Sequence, residues 1–289
     1  MIRTPRGGGV LFAATLVVGL ACGAGISPVH AASLGLTQQG AGGLDVESDN
    51  GIEWRRNDNV LIARGNAFAR RGDSQINSDE LRAFYREADT GTEIYRLEAH
   101  GHVKLSTSTD VATGDLAIYD IDQAVVVLTG KNLKYKTPTE TLTAKDSLEY
   151  WEAKHMAVAR GNAVAISEGR QLSADVLSAR FVQSAKGDNE LERIDGYGHV
   201  TIETATDFVV GDQGVYDAKT GIATLTGSVK ITRGKNQLNG DRAVVDLKTG
   251  ISRLMADGKG DGKSRVRGLL VPDKEKKPEA GAKPAGKTN

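Results

Sequence analysis

The stretch GIATLTGSVKITRG, Gly221 to Gly234, splits into two interleaved sets of residues. Ala223, Leu225, Gly227, Val229 and Ile231 are apolar or small, and Thr224, Thr226, Ser228, Lys230 and Thr232 are polar. Strict alternation of this kind is the pattern of a half-buried β-strand. Gly227 falls on the apolar side, where a strand loses packing and conformational entropy by lacking a side chain. A reason for that glycine is therefore required.

The same placement recurs. AHGHVKL sets Gly101 between Ala99 and Val103, and GYGHVTI sets Gly198 between Gly196 and Val200. ARGNAFA and ARGNAVA do so with Gly65 and Gly161, LTGKNLKY carries Gly130, and ADGKGDG carries Gly258. Successive gaps are 36, 29, 31, 37, 29 and 31 residues, so one unit of roughly thirty residues repeats about six times. Self-similarity at this period marks a repeat or solenoid-like architecture. A second motif keeps the same time. Asp79, Asp115, Asp175, Asp212 and Asp241 each follow the preceding repeat glycine by 14 residues, and Asp146 follows Gly130 by 16. Each aspartate leads into another alternating run, so each unit holds two strands: one through the glycine, one after the aspartate.

Thirty residues are too few for a four-stranded propeller blade. Two strands per unit fit two facing sheets, each gaining one strand per unit. Strands spaced 4.8 Å apart would then give six units a trough about 30 Å long. The expected fold is all-β: an elongated two-sheet β-jellyroll, V-shaped and solenoid-like. The file of glycines is expected to crease the sheet or admit the facing sheet, and the aspartates to cap turns. The inner, apolar surface is expected to carry Leu97, Val103, Leu105, Tyr119, Leu128, Tyr150, Phe181, Val200, Ile202, Tyr216, Leu225, Val229 and Ile231.

Composition agrees. Six prolines and 35 glycines in 289 residues suit many turns and few helices. Residues 1–31 join Arg3 and Arg6 to an apolar run from Val10 to Leu20 and end in Val29-His30-Ala31, which reads as a secretory signal peptide cleaved after Ala31. Cys22, the single cysteine, would leave with it, so no disulfide is expected in the exported chain. Residues 32–43 read as a linker, 44–258 as the jellyroll and 259–289 as a basic, largely disordered tail rich in Lys, Pro, Gly and Ala.

No Ser/His/Asp set, paired carboxylates or phosphate loop recurs with a pocket around it, so no enzyme is expected. His100 and His102 lie on the polar side, and one aspartate per unit falls short of calcium's six to eight oxygens. Neither a metal nor another cofactor is expected. Lys104, Lys134, Arg160, Lys230 and Arg233 read as solvated strand charges, and Phe84 and Trp151 as the clearest outward aromatics.

The units VLIARGNAFARRGDSQINSDELRAFY (60–85), LEAHGHVKLSTSTDVATGDLAIYD (97–120) and ATLTGSVKITRGKNQLNGDRAVVDL (223–247) resemble the LptA/OstA family of periplasmic lipopolysaccharide-transport proteins. The resemblance covers about residues 44–258. It implies a V of two sheets that binds the lipid A part of lipopolysaccharide along its apolar inside. It further implies a bridge from inner to outer membrane, joined by edge-strand pairing to an inner-membrane-anchored adaptor and to the N-terminal domain of an outer-membrane translocon, with head-to-tail self-association also open. The thirteen inner residues are then the expected lipid trough, and no nucleic-acid partner is expected. Two other roles stay open at this point: the membrane-anchored adaptor of the same pathway, and a secreted β-repeat protein that binds glycans.

Overall fold

The computed structural model describes residues 44–89, 91–183, 189–246, 248–249, 251–256 and 265–271. The signal peptide, the linker 32–43 and most of the tail lie outside these. Eighteen strands follow in chain order: β1 (Asp45–Glu47), β2 (Ile52–Arg55), β3 (Val60–Arg71), β4 (Ser74–Ala88), β5 (Gly91–Ser106), β6 (Val111–Asp120), β7 (Val125–Thr129), β8 (Leu133–Lys136), β9 (Glu140–Ala144), β10 (Ser147–Trp151), β11 (Met156–Ser167), β12 (Arg170–Gln183), β13 (Asn189–Glu203), β14 (Asp207–Asp217), β15 (Ile222–Arg233), β16 (Asn236–Asp246), β17 (Ile251–Met255) and β18 (Arg267–Leu269). One 3-10 turn, Glu152–Lys154, is the sole helical element among the described residues. No described helix is long and apolar enough to cross a membrane.

All strands belong to one antiparallel hydrogen-bonded ladder. They make fourteen crossings, because β1/β2, β7/β8, β9/β10 and β17/β18 are each one crossing broken in two. Each unbroken strand passes through a line of bulges that divides the ladder into two half-sheets. One half-sheet holds β2, β7, β10 and β17, and the other holds β1, β8, β9 and β18. The expectation of one strand per sheet per unit is therefore corrected. Each unit adds two strands, and both serve both halves, so the ladder runs about 60 Å at the usual 4.8 Å spacing. At its C-terminal end β18 pairs with β16.

The repeat glycines form the crease. Gly198 and His199 have φ of +73° and +47°, and the β13–β14 register shifts between Tyr197 and Val200. Two left-handed residues thus stand opposite one residue of the next strand, which bends and twists the ladder. Glycine adopts this conformation without the Cβ clash that other residues suffer. The same pairing, with its register shift, recurs at Gly65–Asn66, Gly101–His102, Gly161–Asn162 and Gly227–Ser228. The repeat aspartates sit on this line, in mid-strand or at the strand break, and not at turns. A Cβ on Gly198 would stand 2.1 Å from Asp175 Oδ2, and one on Gly101 would stand 2.1 Å from Asp79 Oδ2. The close approach the glycine permits is therefore that of the neighbouring strand's carboxylate, not of the facing sheet. Asp79 and Asp175 each bond a histidine of the left-handed pair, at 2.8 Å to Nδ1 of His102 and of His199. Asp115 accepts from the Lys131 amide at 2.7 Å across the β7/β8 break.

The core lies inside the angle. Ala63 and Ala67, flanking the crease on β3, are fully buried, as are Ala159 and Ala163 on β11. Small residues suit this line because the two halves converge there. A Cβ on Gly114 would meet Leu128 from one half and Leu133 from the other, each at 2.9 Å. Outer faces carry charge pairs two residues apart on a strand, such as Arg96–Glu98 and Arg193–Asp195.

Candidate functional site

Between the half-sheets lies a cavity of about 1350 Å³. Leu128, Leu148, Tyr150, Leu177, Phe181, Tyr216 and Leu225 line it from one half, and Leu105, Tyr135, Leu142, Leu172 and Ile202 from the other. Alternation puts them there, because residues two apart on a strand share a face. Toward the N-terminal end the angle closes around a space of about 40 Å³, lined by Val46, Leu61, Ile76, Leu97, Ala99 and Tyr119, among others.

The thirteen expected trough residues all lie on the inner side, but they divide into three groups. Leu105, Leu128, Tyr150, Phe181, Val200, Ile202, Tyr216 and Leu225 line the large cavity. Leu97 and Tyr119 line the small N-terminal space, which Leu105 also touches. Val103, Val229 and Ile231 are 1%, 1% and 5% exposed and pack into the core, lining neither. Leu142, Leu148, Leu172 and Leu177 were missed, although the same alternation carries them.

Both rims of the cavity are polar. At one rim stand Asp110, Glu140, Glu168 and Arg170. Asp110 is 4% exposed and accepts from the Tyr135 hydroxyl at 3.0 Å. Burial, with Asp110 and Glu168 nearby, pushes the Glu140 carboxyl above its usual range. At the other rim stand Glu190, Glu192, Lys219 and Lys248, and the Lys248 ammonium donates to the Lys219 carbonyl at 2.7 Å. Just beyond, Tyr119 Oη donates to Glu152 Oε2 at 3.1 Å, and burial raises the Glu152 pKa.

The strand charges differ from a uniformly solvated set. Arg233 forks onto Asp207 at 2.6 and 2.9 Å, and Asp207 is only 3% exposed. Burial pushes the Asp207 carboxyl up, but the bonds from Arg233 and Thr206 hold it below its usual range. Arg160 pairs with Glu149 at 2.7 Å, whereas Lys104, Lys134 and Lys230 are exposed. Phe84 and Trp151 are half-buried, and among the described residues the most exposed aromatics are Trp54, Tyr197 and Phe208. His100 bonds Glu98 at 2.9 Å. Among the described residues, no three His, Cys, Asp or Glu side chains converge as a metal site.

The family model described as "LptA/(LptD N-terminal domain) LPS transport protein" matches three overlapping stretches, residues 45–146, 142–251 and 209–268. No curated protein matches. Among solved structures, the chain is similar to LptH, the LptA homologous periplasmic component of the conserved lipopolysaccharide transport device from Pseudomonas aeruginosa. Identity is 19% over 46% of this chain and 95% of that chain, with a TM-score of 0.39.

Proposed function

The chain belongs to the LptA/LptD N-terminal-domain family of lipopolysaccharide-transport proteins, and on that premise we propose that it is a periplasmic carrier that holds lipid A acyl chains between its two half-sheets. The cavity carries this reading. It is long, apolar-walled and open between two rims, and its lining is aliphatic and aromatic side chains from both halves. Each acyl CH₂ moved from water to such a wall gains about 0.8 kcal/mol. Contacts of this kind are non-directional, so one position along the wall resembles the next, which suits a cargo that must move on. The reaction needs no bond made or broken, in keeping with a non-enzymatic family.

At one rim Lys219 and Lys248 supply cations for the lipid phosphates and are balanced by Glu190 and Glu192, whereas at the opposite rim Arg170 is outnumbered by Asp110, Glu140 and Glu168, which makes that rim the less favourable one for phosphate. The headgroup therefore lies at the lysine rim, with the acyl chains pointing to the crease. Protein partners in the same pathway dock on the open ladder ends, where, among the described residues, β1/β2 pair only with β3 and β17/β18 only with β16, leaving their outer edges without a neighbouring strand. The inner-membrane adaptor and the outer-membrane translocon's N-terminal domain are the proposed occupants.

Capture of lipopolysaccharide by purified variants tests the reading. Ile202→Asp places a charge on the cavity wall, and capture is expected to fall at least tenfold while the chain stays folded. Phe208→Asp alters an exposed side chain on the neighbouring strand and should capture normally. Equal capture by both variants would refute a cargo in the cavity.

A further inference from the structure

The described chain contains the same structure twice. Gly65, Asp79, Gly101, Asp115 and Tyr119 recur 96 or 97 residues later as Gly161, Asp175, Gly198, Asp212 and Tyr216. The hydrogen bonds recur with them. The amides of Asp49 and Asn50 donate to the carbonyls of Gly65 and Arg64, and those of Lys145 and Asp146 donate to Gly161 and Arg160. His102–Asp79 and His199–Asp175 are the same contact at the same 2.8 Å. Two of the family matches, 45–146 and 142–251, begin 97 residues apart. The first unit therefore spans β1 to β8 and the second β9 to β15, joined in one ladder by the pairing of β7 with β10 and β8 with β9.

The two units differ at a rung beside the crease. Ala99 pairs with Ala117 in the first, and Gly196 pairs with Gly214 in the second. Neither Gly196 nor Gly214 has a left-handed φ, so backbone conformation does not demand glycine there. The Cβ atoms they lack would stand 3.2 Å from the Val200 methyls. What the glycines provide is space, and the space lies where the large cavity is. Equivalent side chains follow suit. Ile76 and Tyr119 are buried in the first unit away from the large cavity, whereas Leu172 and Tyr216 are half-buried facing it.

We infer that the two units have diverged in role: the second, with the joint to the first, holds the single acyl-chain seat, and the N-terminal part of the first is a closed spacer that lengthens the ladder without binding cargo. This rests on the carrier reading. A chain twice the family unit in length thus carries one lipopolysaccharide, not two, and a cargo moving toward the N-terminal end must leave the interior or force that end open.

The test is native mass spectrometry of the full exported chain with a rough-chemotype lipopolysaccharide, alongside two variants. One lipopolysaccharide per wild-type chain is expected. Gly196→Ala combined with Gly214→Ala recreates the rung of the first unit and should weaken binding about tenfold, as overfilling a shaped space does. Leu172→Trp fills the same space from the opposite half-sheet and should do likewise, which guards against misfolding of either variant. Two lipopolysaccharides per chain, or undiminished binding by both folded variants, would overturn the single seat while leaving the carrier reading standing. No binding by the wild type would overturn the carrier reading itself.

Discussion

Gly198→Ala should destabilise the protein by about 2–3 kcal/mol, and the structure divides that figure into two parts. A non-glycine residue at φ +73° costs about 1–2 kcal/mol. The new Cβ also falls 2.1 Å from Asp175 Oδ2, so the carboxylate must swing away and release the His199 imidazole it holds at 2.8 Å. That exposed contact contributes no more than about 1 kcal/mol. At roughly 2–4 °C per kcal/mol for a domain of this size, the melting temperature should fall by about 4–12 °C. Urea denaturation of wild type, Gly198→Ala, Asp175→Ala and the double variant separates the parts. In the Asp175→Ala background, alanine at 198 should cost only the backbone share, leaving a coupling of about 1 kcal/mol. A Gly198→Ala protein within about 0.5 kcal/mol of wild type would refute the left-handed crease. An equal cost in both backgrounds would refute the glycine–carboxylate contact.

Other outcomes follow from the buried charges and the core. Asp207→Asn leaves Arg233 without its carboxylate and should cost about 2 kcal/mol in urea titration, short of the ~3–5 kcal/mol of a fully buried pair because Arg233 is partly exposed. Glu140 has a folded pKa above its unfolded one, so its protonated form favours folding and that contribution is lost as pH rises through the folded pKa. Glu140→Gln should therefore be more stable than wild type at pH 7 and lose less stability between pH 4 and 7; an unchanged slope would contradict the burial of that carboxyl. Val229→Asp, in a fully packed part of the core, should unfold the protein before any effect on capture can be read, and a folded Val229→Asp with a selective capture defect would show that the cavity reaches further than described.

Most of the fold could be read from the chain because alternation and the glycine phase are periodic, and periodicity survives without knowledge of contacts. The phase of Gly65, Gly101, Gly161, Gly198 and Gly227 located the crease. It did not reveal that both strands of a unit cross it, since a strand bent at a bulge and a strand that ends there share one alternation. That ambiguity halved the expected length. The aspartates read as turn caps, and not as mid-strand partners, for a related reason. Their partners, His102 and His199, lie on the next strand, and a sequence offset of 23 or 24 residues does not announce a contact. The site was partly legible. All thirteen expected residues face inward, but whether an inward side chain packs or lines space depends on its neighbours. Here the difference is as small as the methyl groups of Ala99 and Ala117 against the bare rung of Gly196 and Gly214. Arg233 looked like any strand charge until Asp207, 26 residues earlier, was brought beneath it.

The most direct test of the account is photo-crosslinking in cells. A photoreactive residue would replace Ile202 or Tyr216, which face the cavity, and Thr201 or Phe208, which face outward on the same strands. The account predicts lipopolysaccharide adducts at Ile202 and Tyr216 and none at their outward neighbours. Adducts at the outward positions alone, or none at any position of an exported and folded chain, would contradict a cargo held between the half-sheets.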